Sequence, residues 1–148
     1  MEAIKIIIAD DHQIIIDGLK SLLENEDEMV VIGEASNGKE AIDLVHLIKP
    51  GVILMDIDMP VLNGIEATRV IKKELTDARI IILSMHNESS LIKTLVNAGA
   101  DGYLLKNCDQ QELITAIKRV YEGQSYFSSD VTFSLLDQKG ISSASFEQ

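Results

Sequence analysis

The chain has 148 residues, 46% hydrophobic and 25% charged, with 24 acidic against 13 basic residues and a formal charge of −11. That balance suits one globular domain with a short tail, which needs neither disulfide nor structural metal to hold its core. It argues against nucleic acid and anionic membranes as direct partners, because so acidic a surface repels both.

No apolar run approaches the roughly 18 residues of a membrane span. The N-terminus, MEAIKIIIADD, does not read as a signal peptide. The single Cys108 cannot form an internal disulfide and fits a reducing, cytoplasmic setting.

In chain order, two periodicities alternate. Ile4–Asp10 (IKIIIAD) is a short β-branched run, followed by Ile15, Leu19, Leu22 and Leu23 at helical spacing. Met29–Ala35 (MVVIGEA) is the next strand, and Asn37-Gly38 opens a helix carrying Ala41, Leu44, Val45 and Ile48. Val52–Asp56 (VILMD) precedes a weaker helical stretch at 64–75, and Arg79–Ser84 (RIIILS) precedes another at 89–98. Gly102–Leu105 (GYLL) and a helix with Leu113, Ile117, Val120 and Tyr121 close the series. Strands apolar nearly throughout are strands buried on both faces. Five strand–helix units therefore predict an α/β fold: a doubly wound, flavodoxin-like, five-stranded parallel sheet of order 2-1-3-4-5 with helices on both faces.

In such a sheet ligands bind outside the carboxyl ends of the strands, where strand order reverses. The polar residues at those ends are Asp10-Asp11, Asp56, Ser84 and, directly after the last strand, Lys106. Any one of the acids is explicable as a helix N-cap; the whole set at one rim is not. Two carboxylates 4 Å apart repel by roughly 4 kcal/mol at an effective dielectric of 20, so the three acids call for a proton or a cation between them. Hard oxygen donors, with no Cys or His at zinc spacing, point to Mg²⁺. With a phosphoryl group held by Lys106 and Ser84, Asp56 is left to attack phosphorus and form an aspartyl phosphate.

ADDHQIIIDGLKSLL (9–23), VILMDIDMPVLNGIEA (52–67), IIILSMH (80–86) and GADGYLLKN (99–107) resemble the response-regulator receiver domain, in the branch that precedes a LuxR-type helix-turn-helix. The resemblance implies that Asp56 accepts a phosphoryl group from a sensor histidine kinase. It implies that Asp11 and Asp56 hold Mg²⁺ directly, Asp10 through a water, and Asp58 through its backbone carbonyl alone. Ser84 and Tyr103 would be the switch pair that remodels the surface of the fourth helix, fifth strand and fifth helix, with a homodimer a possible consequence. The chain departs from the common pattern at Asn107, where many relatives have Pro, at the bulky Met85, and at Ile16, where relatives of this branch often carry Arg. Asp58 and His86 stand at positions that vary in the family. His12 is expected to be a first-turn residue facing the rim and His46 to face solvent; Pro60 and Gly64 set the loop that presents the Asp58 carbonyl.

The rival is a phosphatase of the haloacid-dehalogenase type, since Asp56-Ile57-Asp58 also matches a D-x-D motif. There D-x-D lies on the first strand and the acidic pair comes late, the reverse of the order here. A flavin-binding module would need a hydroxyl-rich first loop in place of Asp10-Asp11. Residues 1–124 are thus expected to form the receiver and 125–148 a linker. The chain is read as a receiver excised from a DNA-binding parent, the alternative being a stand-alone receiver.

Overall fold

The computed structural model describes residues 2–127. The elements run β1 (Ile4–Ala9), α1 (Gln13–Leu23), β2 (Met29–Ala35), α2 (Gly38–Ile48), β3 (Val52–Met55), α3 (Gly64–Glu74), β4 (Ile80–Ser84), α4 (Ser89–Ala98), β5 (Gly102–Leu105), α5 (Gln110–Tyr121) and β6 (Tyr126–Phe127). All strand pairs are parallel, in the order β2-β1-β3-β4-β5-β6. The first five strands follow the predicted order, but the sheet has six strands instead of five. The sixth comes from the stretch assigned to the linker: Tyr126 and Phe127 lie alongside Gly102 and Tyr103 of β5. The rest of that linker, residues 128–148, lies outside the described residues.

β3 and β4 are buried at every position, and β1 at all but Lys5. Alternate side chains divide the core. Ile7, Ile53, Ile82 and Tyr103 pack with Ala41, Val45, Ala67, Ile71, Ile92 and Leu95 of α2, α3 and α4. Ile6, Ile8, Leu54, Ile81 and Leu104 pack with Ile16, Leu113, Ile117 and Val120 of α1 and α5. At roughly 1.5–3 kcal/mol per large buried aliphatic side chain, two such layers are enough to carry a charged pocket at one end of the sheet.

Local chemistry starts the helices. Asn37, Asn63 and Asp109 each accept a hydrogen bond from the backbone N–H three residues on, at Glu40, Glu66 and Glu112, over 2.8–2.9 Å. These caps are not the strand-end acids. α1 has His12 at its N-cap, and the His12 side chain makes no cap hydrogen bond; Asp10 instead accepts the His12 backbone N–H at the turn into the helix.

The loop between β3 and α3 is held by backbone contacts. Gly64 N–H donates to the Ile57 carbonyl at 2.8 Å, and Gly38 N–H to the Leu62 carbonyl at 2.8 Å. Leu62 N–H reaches back to the Pro60 carbonyl at 2.6 Å, closing a three-residue turn around Val61, whose φ is +67°. A β-branched residue is strained there, and Val61, 80% exposed, gains nothing from packing. Val61→Gly is accordingly expected to raise the unfolding free energy by about 1 kcal/mol, read as a higher urea midpoint. An unchanged or lower midpoint would remove strain as a description of this turn.

Candidate functional site

β1, β3, β4 and β5 all end at the same edge of the sheet, and each delivers a polar residue there. Asp10 follows β1 and Asp56 follows β3, 2% and 5% exposed. Asp10 N–H is fixed by the Ala35 carbonyl and Asp56 N–H by the Ala9 carbonyl, both at 2.9 Å, so sheet-like bonding carries both backbones to the rim. Lys106, after β5, reaches between them: Nζ lies 2.9 Å from Asp10 Oδ2 and 3.2 Å from Asp56 Oδ1. Its own N–H is held by the Ser84 carbonyl at 2.8 Å.

The carboxylates of Asp10, Asp11 and Asp56 and the His12 ring each bring a ligand atom within 4.8 Å of the others. His12 Nδ1 is 3.2 Å from Asp10 Oδ1 and 3.0 Å from Asp11 Oδ1, and His12 N–H donates to Asp10 Oδ1 at 2.9 Å. One ammonium does not neutralise three carboxylates. Burial, and then the charge of Asp10, push the Asp56 carboxyl above its ordinary range, while Lys106 pulls it partly back. Burial works to lower Lys106, but its hydrogen bond to Asp10 and the charges of Asp56 and Asp10 outweigh it, leaving the ammonium above its usual value. The donor set is therefore hard, oxygen-rich and short of positive charge, which fits a divalent cation.

A second constellation sits beside the first. Ser84, at the end of β4, is buried, and its Oγ accepts the His86 N–H at 2.9 Å. Tyr103, fully buried on β5, donates its hydroxyl to the His86 carbonyl at 2.8 Å. The His86 ring bridges to the next loop, with Nε2 2.8 Å from Asp58 Oδ2. That hydrogen bond, with the charges of Asp58 and Glu88, outweighs the opposing effect of burial and holds the His86 imidazole above its ordinary value.

Set against known proteins, residues 6–118 match the family described as the response regulator receiver domain. The chain belongs to the response regulator receiver family.

Among curated relatives of this receiver, the transcriptional regulatory protein DegU of Brevibacillus brevis is 41% identical over 135 residues, covering 91% of this chain and 57% of the relative. The response regulator UvrY of Escherichia coli strain K12 is 40% identical over 128 residues, covering 86% and 59%. The chain thus spans somewhat under two thirds of the length of these relatives. In structure it superimposes on a LuxR-family two-component response regulator from Aurantimonas sp. SI85-9A1 with a TM-score of 0.90 at 33% identity, over 94% of this chain and 99% of that one. The isolated receiver domain of RcsB from Salmonella enterica serovar Typhimurium, solved with the phosphomimetic BeF3⁻, gives 0.83 at 26% identity, over 90% and 99%. The phosphatase alternative finds no support in these likenesses. Among the described residues no helix is long and apolar enough to cross a membrane.

Of the residues singled out in the sequence, the receiver brings Asp10, Asp11, Asp56 and Lys106 into one cluster. The Asp58 carboxylate stands apart, 74% exposed and paired with His86. Ser84 and Tyr103 both bond the backbone of His86, and burial holds the Tyr103 phenol above its ordinary value against the opposing hydrogen bond of the Ser84 side chain. Two histidines carry more than the sequence suggested. His12 lies against both acids of the pair, a consequence of its place at the turn into α1. His86 joins Ser84, Tyr103 and Asp58; the sequence marked it, with Asp58, as a position that varies in the family, but not this bridging role. His46 is half exposed and pairs with Glu74 at 3.0 Å. The Cys108 thiol is pushed up to about 11, by burial first and then by Glu112 and Asp109, so it is a poor nucleophile.

Proposed function

We propose that this receiver takes a phosphoryl group onto Asp56 from the phosphohistidine of a sensor histidine kinase and passes the change to an output, transcriptional in the parent protein. The observation that carries the proposal is the buried Asp56 carboxylate, joined to Lys106 at 3.2 Å and flanked by acids that one lysine does not balance. An Asp56 carboxylate oxygen attacks phosphorus, the P–N bond breaks, and the imidazole leaves with the bond's electron pair. Lys106, already within reach of Asp56, holds one oxygen of the incoming group, and the Ser84 hydroxyl turns from the His86 N–H to hold another. Asp10, Asp11, Asp56 and the Asp58 carbonyl would hold Mg²⁺, which when bound offsets the carboxylate charge and that of the phosphoryl oxygens. Recruitment of Ser84 changes the support of the His86 backbone and so of Tyr103, shifting the population between two packings of α4, β5 and α5. A self-limited switch of this kind turns over nothing but its own acyl phosphate, and a homodimer of the charged form is one outlet.

Intact mass after incubation with Mg²⁺ and acetyl phosphate tests the assignment. The parent chain is expected to gain one phosphoryl group, Asp56→Asn none, and Asp58→Asn the same as the parent. Labelling that survives Asp56→Asn but is lost in Asp58→Asn would overturn it.

A further inference from the structure

The sixth strand is too short to hold itself. Two residues in a parallel pairing supply little hydrogen bonding, so other contacts must seat them. Tyr126 N–H donates to the Asp101 carbonyl at 3.1 Å, and its hydroxyl to Glu112 Oε2 at 3.2 Å. The Arg119 guanidinium lies 5.7 Å from the centre of its ring. Gly102 leaves the room for this approach, since a Cβ there would stand 2.9 Å from the Tyr126 carbonyl oxygen. Tyr126 thus docks on the α5 side of the sheet. Phe127 docks on the other side, in register with Tyr103 and packed on the cluster that contains it.

A continuous set of contacts therefore runs from the rim to the exit of the receiver. Ser84 Oγ accepts from His86 N–H, the His86 carbonyl accepts from Tyr103 OH, and Tyr103 lies opposite Phe127. We infer that β6 is a working part of the switch: Phe127 pairs in register with Tyr103 and packs on the cluster that contains it, so the strand reports the state of the Asp56 pocket. The inference rests on the proposed function for its input. Its own content is the coupling of Phe127 to Tyr103. The buried Tyr103 and the seated Phe127 belong to one packed state, so a phosphoryl group that favours this state tightens β6. By reciprocity a seated β6 tightens the binding of a phosphoryl mimic by the same factor.

Hydrogen exchange of the Tyr126 amide, followed by NMR on the full 148-residue chain with and without beryllofluoride and Mg²⁺, tests this. Exchange is expected to slow by about fivefold or more when the mimic binds, and Phe127→Ala to weaken beryllofluoride binding by the same factor. Phe127→Leu, which keeps an apolar side chain in the seat, is expected to retain most of both effects. An unchanged Tyr126 rate while Asp10 and Asp56 signals shift would overturn the inference and leave the phosphoryl proposal standing. No response at any signal would overturn both. Should Phe127→Ala free β6 in both states, the affinity decides alone: weaker binding supports the coupling, and unchanged binding overturns it.

Discussion

Gly64→Ala is expected to lower the unfolding free energy by about 3 kcal/mol, the upper end of what overpacking costs. A Cβ at this position would stand 2.0 Å from the Asp56 carbonyl oxygen, 2.9 Å from its carbon and 3.0 Å from the Ile57 Cα. All three are backbone atoms, so no side chain can swing aside. Neither partner is free to retreat. Asp56 N–H is tied to the Ala9 carbonyl at 2.9 Å and Gly64 N–H to the Ile57 carbonyl at 2.8 Å. Gly64 is the first residue of α3, so Ala gains at most the roughly 1 kcal/mol of a helix interior there, which is smaller than the clash. Gly18, within α1, is the control: a Cβ there meets nothing within 4 Å, and Gly18→Ala is expected to stabilise by about 0.5–1 kcal/mol. The check is a urea titration in which the two midpoints move in opposite directions at unchanged slope. Equal shifts would mean that the strand end yields more easily than its bonding suggests.

The frame of this fold was legible because it rests on burial. Runs such as Ile6–Ile8 and Ile80–Ile82 are covered on both faces, and only a sheet between two helical layers does that. Handedness then orders the strands, and strand order brings Asp10, Asp56 and Lys106 to one edge without any further information. The sixth strand was not legible. Tyr126-Phe127 has no periodicity to detect at two residues, and its seat is made by Gly102, Glu112 and Arg119, which belong to other elements. The same holds for His86 and Asp58, paired at 2.8 Å although far apart in sequence. Val61 went unremarked for the opposite reason: local preference disfavours a β-branched residue at a φ of +67°, and the surrounding bonds impose it. Tyr103 was marked as a switch residue by resemblance alone, and nothing in the sequence pointed to the bond from its buried hydroxyl to the His86 carbonyl.

Lys106→Met is expected to cost about 3–5 kcal/mol at neutral pH, the range for removing one partner of a buried ion pair. The Lys106 side chain is 12% exposed, and those of Asp10 and Asp56 3% and 6%, so the abandoned carboxylates find little water. Lys39 with Asp43 shows the contrast: both side chains are about two-thirds exposed, and Lys39→Met is expected to change stability by less than about 1 kcal/mol. The Lys106 deficit also depends on pH. The folded Asp56 carboxyl already titrates above its unfolded value. Its contribution to stability is therefore present below the unfolded value and lost as pH climbs through the folded one. Removing Lys106 takes away the interactions that lower Asp56, so the folded value rises further and the loss steepens. The gap between variant and parent should be wide at about pH 7.5 and narrow at about pH 5, where the folded carboxyl takes up a proton more readily than the unfolded one. Adding Asp56→Asn to Lys106→Met should recover part of the loss, because the abandoned group is then neutral, and the double-mutant cycle measures the coupling directly. Urea midpoints across that pH range make the check. A deficit that is constant with pH and indifferent to Asp56→Asn would assign Lys106 to packing by its aliphatic stem, and the charge balance of the pocket would have to be drawn without it.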